Sequence, residues 1–247
     1  MIEPSKIPLS KAITKKIKAL PEGTVFNYSY FDVPASGELA LAKALSRLTA
    51  SGTITRIAKG KYYKPKETSF GKLKPQEDEI IKSLTYKGDK TIGYLTGIAL
   101  YNRLALTTQV PNTLTIATNN ILPSKKIGPY KIKYSKRNVA IEEKDIPLLQ
   151  LLDVLMDIRT IPDTDVNKTF EVILDKIKKL EAKQKSRLLK LSFQYNPATR
   201  ALAGALFERY IDNTNLNSLK ETLNPLSKYD IGISEKILSN KSNWNIQ

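Results

Sequence analysis

The chain is 247 residues long, 41% apolar and strongly basic, with 40 Lys and Arg against 24 Asp and Glu for a net charge of +16, a length and composition that suit two or three small domains. It contains no Cys and no His, which excludes disulfides, thiolate or imidazole metal sites and triads built on either residue, so a protein that is not an enzyme and holds neither metal nor cofactor is expected. No run approaches the roughly 20 uninterrupted apolar residues of a membrane span, and the opening MIEPSKIPLSK lacks the apolar stretch of a secretory leader, so a cytoplasmic protein with no membrane partner is expected.

The positive excess is focused towards the N-terminus. Residues 1–75 carry 14 basic and 5 acidic side chains, residues 76–147 carry 11 and 7, and the remainder 15 and 12. Such focusing attracts a polyanion and releases its counterions, the main source of non-specific affinity for nucleic acid, although a Lys-rich surface also serves solubility. Ile13, Ile17 and Leu20 stand at helical spacing behind Ser10, the expected N-cap. On the opposite face Lys11, Lys15 and Lys18 form a basic stripe that either lies along phosphates or is a solvated face. Pro21-Glu22-Gly23 stops that helix, and Thr24–Tyr30 reads as a short strand or the extended entry to a second helix, with Tyr28 and Tyr30 as packing residues.

After Val33-Pro34, Ser36 is placed to cap a helix over Gly37–Ser51, which Gly52 ends. Its apolar face is Leu41, Ala44, Leu45 and Leu48. The opposite face carries Lys43, Ser46, Arg47 and Ala50, small or basic groups that let a helix sit deep in a major groove. This is the expected recognition helix, with Arg47 suited to a guanine edge and Lys43 to phosphate, though both also fit the exposed face of any amphipathic helix. The segment TITRIAKGKYYKP follows, two β-prone stretches joined at Lys59-Gly60-Lys61 as a hairpin. Helix, helix and basic hairpin is the winged-helix order, which would bring Arg56, Lys59, Lys61 and Lys64 to the DNA backbone or minor groove unless the hairpin is simply structural.

Several of these blocks together resemble the AbiEi-type antitoxins of bacterial abortive-infection, or type IV toxin-antitoxin, systems. ALSRLTASGTITRIAKGKYYKP is similar to the family's winged-helix signature, and FGKLKP with the acidic helix after it is similar to its linker. Residues 93–111, GYLTGIALYNRLALTTQVP, are similar to its central motif at Thr96-Gly97, Ala99, Asn102, Leu104, Leu106 and Thr107-Thr108-Gln109-Val110-Pro111. Ala105 departs from it where glycine is expected, which leaves close backbone packing there open. The segment from Arg200 to Leu206 is similar to the family's C-terminal helical stretch. The resemblance implies an antitoxin that represses its own operon and counteracts a nucleotidyltransferase-like toxin encoded beside it, by direct contact or indirectly.

Read from its residues alone, the central region gives a helix over Gly97–Leu106 and strands over Thr113–Thr118 and Tyr130–Tyr134. Asn102 and Gln109 either fix the loop after the helix or meet a partner. Lys125, Lys126, Lys131, Lys133, Lys136 and Arg137 give a second nucleic-acid contact or a solvated edge. From Ile146 the periodicity is helical. Asp153, Asp157, Asp163 and Asp165 lack the ordered spacing of a calcium loop, and Trp244 is placed to anchor a tail after Thr214 that is otherwise expected to be partly mobile.

The expected fold is thus α+β, mostly α: a winged helix-turn-helix over 1–70, a small central α+β unit over 71–145 and a C-terminal helical bundle over 146–247, the last two forming one antitoxin domain. The expected partners are double-stranded operator DNA, bound by a dimer on an inverted repeat, and the cognate toxin. Other readings stay open: a stand-alone winged-helix or plasmid-type DNA-binding protein with no toxin, a basic surface that grips an acidic protein, and a nucleic-acid enzyme working through carboxylates and metal.

Overall fold

In the computed structural model, residues 8–211 and 216–247 are described, and they form two compact units. The first seven residues of the stretch read for a leader lie outside the described residues. The architecture is α+β and mostly α, and among the described residues no helix is long and apolar enough to cross a membrane.

The first unit comprises the chain up to Ile92 together with Ser124–Ile132. Helix α1 (Leu9–Ala19) buries Ile13 and Ile17, and α2 (Glu38–Ala50) buries Leu41, Ala44 and Leu45 against them. Burial of side chains of this kind is worth roughly 1.5–3 kcal/mol each, and this shared core fixes which faces of the two helices turn outward. Between them run β1 (Val25–Asn27), the short strand that is one of the two readings of Thr24–Tyr30, and two 3-10 turns, Tyr28–Phe31 and Ala35–Gly37. Strands β2 (Thr55–Ala58) and β3 (Lys61–Tyr63) complete an antiparallel sheet of order β1-β3-β2, with Phe26 opposite Tyr62 and Tyr62 opposite Arg56. Helix, strand, helix and hairpin in this order make a winged helix.

Both expected N-caps are corrected. Pro8 takes the cap position of α1, its carbonyl accepting from the Lys11 and Ala12 amides at 2.8 and 3.2 Å, and Ser10 lies within the first turn. Ser36 sits inside the 3-10 turn, so Gly37 heads α2 without a side-chain cap, while Glu38 complements the positive helix end. The far end of α2 follows the expectation, with Gly52 at φ +75°, a conformation that costs glycine little.

Past the wing, β4 (Lys66–Thr68) and β5 (Gly71–Leu73) form a second hairpin across what the sequence presents as linker, and α3 (Glu77–Thr85) follows with three carboxylates in its first turn. Helix α3 is tied back to the winged helix. The Glu79 carboxylate accepts from the Val25 amide at 3.1 Å, and the Lys61 ammonium donates to the Ser83 carbonyl at 2.7 Å. The division between units therefore falls at Ile92–Gly93, beyond the expected boundary at residue 70. The short pair β6 (Tyr86–Lys87) and β7 (Lys90–Thr91) closes this stretch.

The second unit begins with β8 (Gly93–Thr96), α4 (Ile98–Arg103) and β9 (Thr113–Thr118); β8 and β9 pair antiparallel, Gly93 opposite Thr118. The chain then returns to the first unit for β10 (Lys125–Ile127) and the start of β11 (Tyr130–Lys136). Four helices make the bundle: α5 (Ile146–Asp157), α6 (Val166–Lys178), α7 (Ala182–Ser192) and α8 (Pro197–Tyr210), with α5 packed against the other three. Asp165 caps α6 by accepting from the Lys168 amide, and Asn196 caps α8 from Thr199. Helix α9 (Asn217–Glu221) leads into a tail that ends against α8 through the buried Trp244, so the described part of the tail is anchored as expected.

Ala105 closes α4 in a left-handed conformation, φ +58°. Its amide donates to the Asn102 carbonyl at 2.9 Å and the Leu106 amide to Tyr101 at 2.8 Å, the paired bonds of a Schellman cap, with Leu106 and Tyr101 both buried. The backbone here demands what glycine supplies, and alanine accepts it at about 1–2 kcal/mol. Glycine gives back about 0.5–1 kcal/mol through the unfolded chain. Ala105→Gly is therefore expected to stabilise the fold by about 0.5–1 kcal/mol, read as a higher urea midpoint; an unchanged or lower midpoint counts against the strain.

Candidate nucleic-acid interface

Because Leu41 and Leu45 are buried, the opposite side of α2 faces solvent, and Lys43, Ser46, Arg47 and Ala50 are all exposed on it. The Lys43 and Arg47 side chains have no hydrogen-bond or ion-pair partner among the described residues, and neither contributes to the core. Arg47 also lines a shallow groove of about 440 Å³ between α1 and α2 whose other cationic walls are Lys11, Lys15 and Lys18, over a floor that includes Thr14, Ala44 and Leu48. The basic stripe of α1 and the exposed face of α2 are thus one surface. Four cations around one groove repel one another and are relieved by a polyanion.

The wing contributes less than its composition suggests. Arg56 and Lys59 are exposed, Arg56 with its Nε on the Ala58 carbonyl at 3.3 Å. Lys61 is drawn inward instead: besides the Ser83 carbonyl it meets Ser83 Oγ at 3.0 Å, and burial, with the charge of Lys125, lowers its pKa from 10.5 to about 8. Its ammonium is committed to α3 and removed from the solvent-facing set. Lys64 is likewise diverted, its Nζ donating to the carbonyls of Lys18 and Leu20 at 2.8 and 2.7 Å and so capping the negative end of α1. Tyr28 and Tyr30 are half-exposed packing residues, Tyr28 edge-on to Tyr62 and Tyr30 edge-on to Phe31. The hairpin β4–β5 adds exposed Lys66 and Lys72, which its reading as linker did not anticipate.

The second unit spends its polar groups internally. Thr96 Oγ1 donates to Asp153 at 2.6 Å, the Tyr101 hydroxyl to Asp157, and Thr107 and Thr108 both to Asp163, at 3.2 and 3.1 Å. Gln150 on α5 donates to the Leu95 carbonyl, and Asn102 to the Thr107 carbonyl, so Asn102 fixes the loop after α4. The Gln109 side chain, beside the largely exposed Val110, is solvent-facing. The segment 93–109 is therefore a set of anchors onto α5 and the loop that follows it. The four aspartates of the 153–165 stretch each satisfy a different element, three of them through this segment and Asp165 through its cap.

A model of a protein family described as a family of unknown function (DUF6088) matches residues 12–189, more than half of the chain, taking in α1 from Ala12 onward, all of α2 and the segment 93–109. No curated protein matches the chain.

Proposed function

We propose that this chain, which belongs to the DUF6088 family, is a non-enzymatic, cytoplasmic DNA-binding antitoxin that represses its own operon and counteracts a nucleotidyltransferase-like toxin. The observation that carries the DNA half is the pair Lys43 and Arg47, exposed and with side chains unpaired among the described residues, on the second helix of a winged helix, with Arg47 lining the same groove as Lys11, Lys15 and Lys18. In this reading α2 enters the major groove, Arg47 presents its two-pronged donor to guanine, Lys43 and the α1 lysines meet phosphate, and Arg56 and Lys59 reach the flanking backbone. A dimer on an inverted repeat would set two such helices one turn of DNA apart. The antitoxic half rests on the resemblance of residues 93–111 and 200–206 to the AbiEi-type family, and the second unit is its carrier.

Two experiments test the two halves. Lys43→Ala with Arg47→Ala is expected to weaken binding to the duplex upstream of the gene by about thirtyfold or more, at about 1–3 kcal/mol per contact, and to flatten the salt dependence by about one phosphate contact. The melting curve should hold, since neither residue packs in the core. An unchanged mobility shift would remove α2 from the interface. Co-expression with the adjacent gene, scored for restored growth, tests the antitoxin; DNA binding without rescue would leave a stand-alone regulator.

A further inference from the structure

Phe70 is 99% exposed, in a protein whose other phenylalanines in the same unit, Phe26 and Phe31, are buried. It does not sit on a loose loop. Residues Ser69 and Phe70 form the two-residue turn of the β4–β5 hairpin, closed by the pair Thr68 and Gly71. Thr68 Oγ1 donates to the Gly71 carbonyl at 2.8 Å and accepts from the Phe70 amide at 3.3 Å, and Gly71 adopts φ +101°. The turn thus holds a bare aromatic ring at the tip of an ordered arm.

The arm is basic and is fastened beside the proposed reading helix. Lys66, Lys72 and Lys74 are exposed on it, against one acid, Glu67, itself 3.7 Å from Lys72. Lys72 Nζ donates to the Gly52 carbonyl at 2.6 Å, which pins the arm to the residue that terminates α2. Phe70 lies two residues, roughly 7 Å of strand, beyond that anchor. An apolar protein groove would match the ring but not the lysines around it. A nucleic-acid duplex matches both, with phosphates outside and an apolar stack of bases within.

We infer that the β4–β5 arm is a second DNA-contacting element, in which Lys72 holds the arm to the end of α2, Lys66 and Lys74 grip phosphates flanking the site read by α2, and Phe70 inserts as a wedge at a base step. This rests on the DNA-binding reading above and adds to it a defined distortion: side-chain wedges of this kind partly unstack a step and bend the duplex by about 20–90°.

The test uses the full chain and a 40-base-pair duplex enriched by it from a random pool, labelled at both ends for energy transfer. Wild type is expected to bend this duplex, and to bind several-fold more tightly when one mismatch pre-opens the flanking step. Phe70→Ala should lose the bend and the mismatch preference while binding about tenfold more weakly, and Phe70→Trp should retain all three. The ring touches nothing in the core, so both variants should melt as wild type does. An equal bend with Phe70→Ala, or a straight duplex bound by wild type, overturns the wedge and leaves the α2 reading standing. A rescue of growth that depends on Phe70 with no change in DNA binding assigns the ring to a protein contact and also overturns it. Failure to enrich any duplex overturns both.

Discussion

Asp153→Ala is expected to destabilise the second unit by about 3–5 kcal/mol, the cost of stranding a charge whose partner has gone. Asp153 lies in α5 with no exposed surface. Its carboxylate accepts from Thr96 at the end of β8, from Arg137 Nε at 3.1 Å just after β11, and from the Tyr195 hydroxyl at 2.8 Å just after α7. One acceptor therefore joins four stretches of chain that are remote in sequence. Burial works against the Arg137 charge, but Asp153 more than offsets it and holds the guanidinium above its ordinary range; burial and then Asp153 push the Tyr195 phenol upward. Alanine would leave the guanidinium, its side chain only 12% exposed, without its counter-charge and the Thr96 hydroxyl without the carboxylate it donates to, while the Tyr195 hydroxyl keeps the Leu149 carbonyl at 3.1 Å. Asp153→Asn keeps an acceptor and should fall between alanine and wild type. Urea unfolding followed by far-ultraviolet dichroism measures both, and a loss below about 1 kcal/mol for alanine would mean that water or a neighbour replaces the carboxylate.

That pairing also marks where the sequence stops being informative. Local periodicity was enough for α2, found over Glu38–Ala50 against an expected Gly37–Ser51, and for β9, found over Thr113–Thr118 as read. Spacing of leucines, and of β-branched residues between turn signals, is a short-range property that packing here reinforces. The partners of Asp153 and Asp157 stand 57 and 56 positions upstream, at Thr96 and Tyr101, so in sequence these aspartates and Asp163 look like loose acids when they are the receiving ends of the 93–109 segment. Direction was equally invisible for Lys61 and Lys64. A lysine in a basic hairpin counts as surface charge until Ser83 and the open carbonyls of α1 are brought within reach of it. The second hairpin escaped because its Ser69-Phe70 turn carries none of the Asn-Gly or Asp-Gly signals that announce tight turns.

Gly204→Ala should lower stability by about 2–4 kcal/mol, although helix propensity alone favours alanine over glycine by about 1 kcal/mol in the middle of a helix such as α8. The sign is decided by Trp244. Its indole lies so close over Gly204 that a Cβ there would overlap the six-membered ring, and the contact is with a rigid fused system rather than the end of a flexible side chain. The ring is 1% exposed, and its Nε1 donates at 3.0 Å to Glu208, one turn along α8, so it can neither tilt away nor slide without breaking that bond. Displacing a buried Trp forfeits packing comparable to its removal, about 3–5 kcal/mol, from which the propensity gain subtracts. Asn240 and Asn243 donate to the same carboxylate, so loss of the indole should release the segment that follows α9 as a whole. Trp244 is the chain's one tryptophan, so its emission in Gly204→Ala should shift to the red and limited proteolysis should cut first in that segment. A variant that melts higher with unshifted emission would show that propensity outweighs the seat and that the tail is held by other contacts.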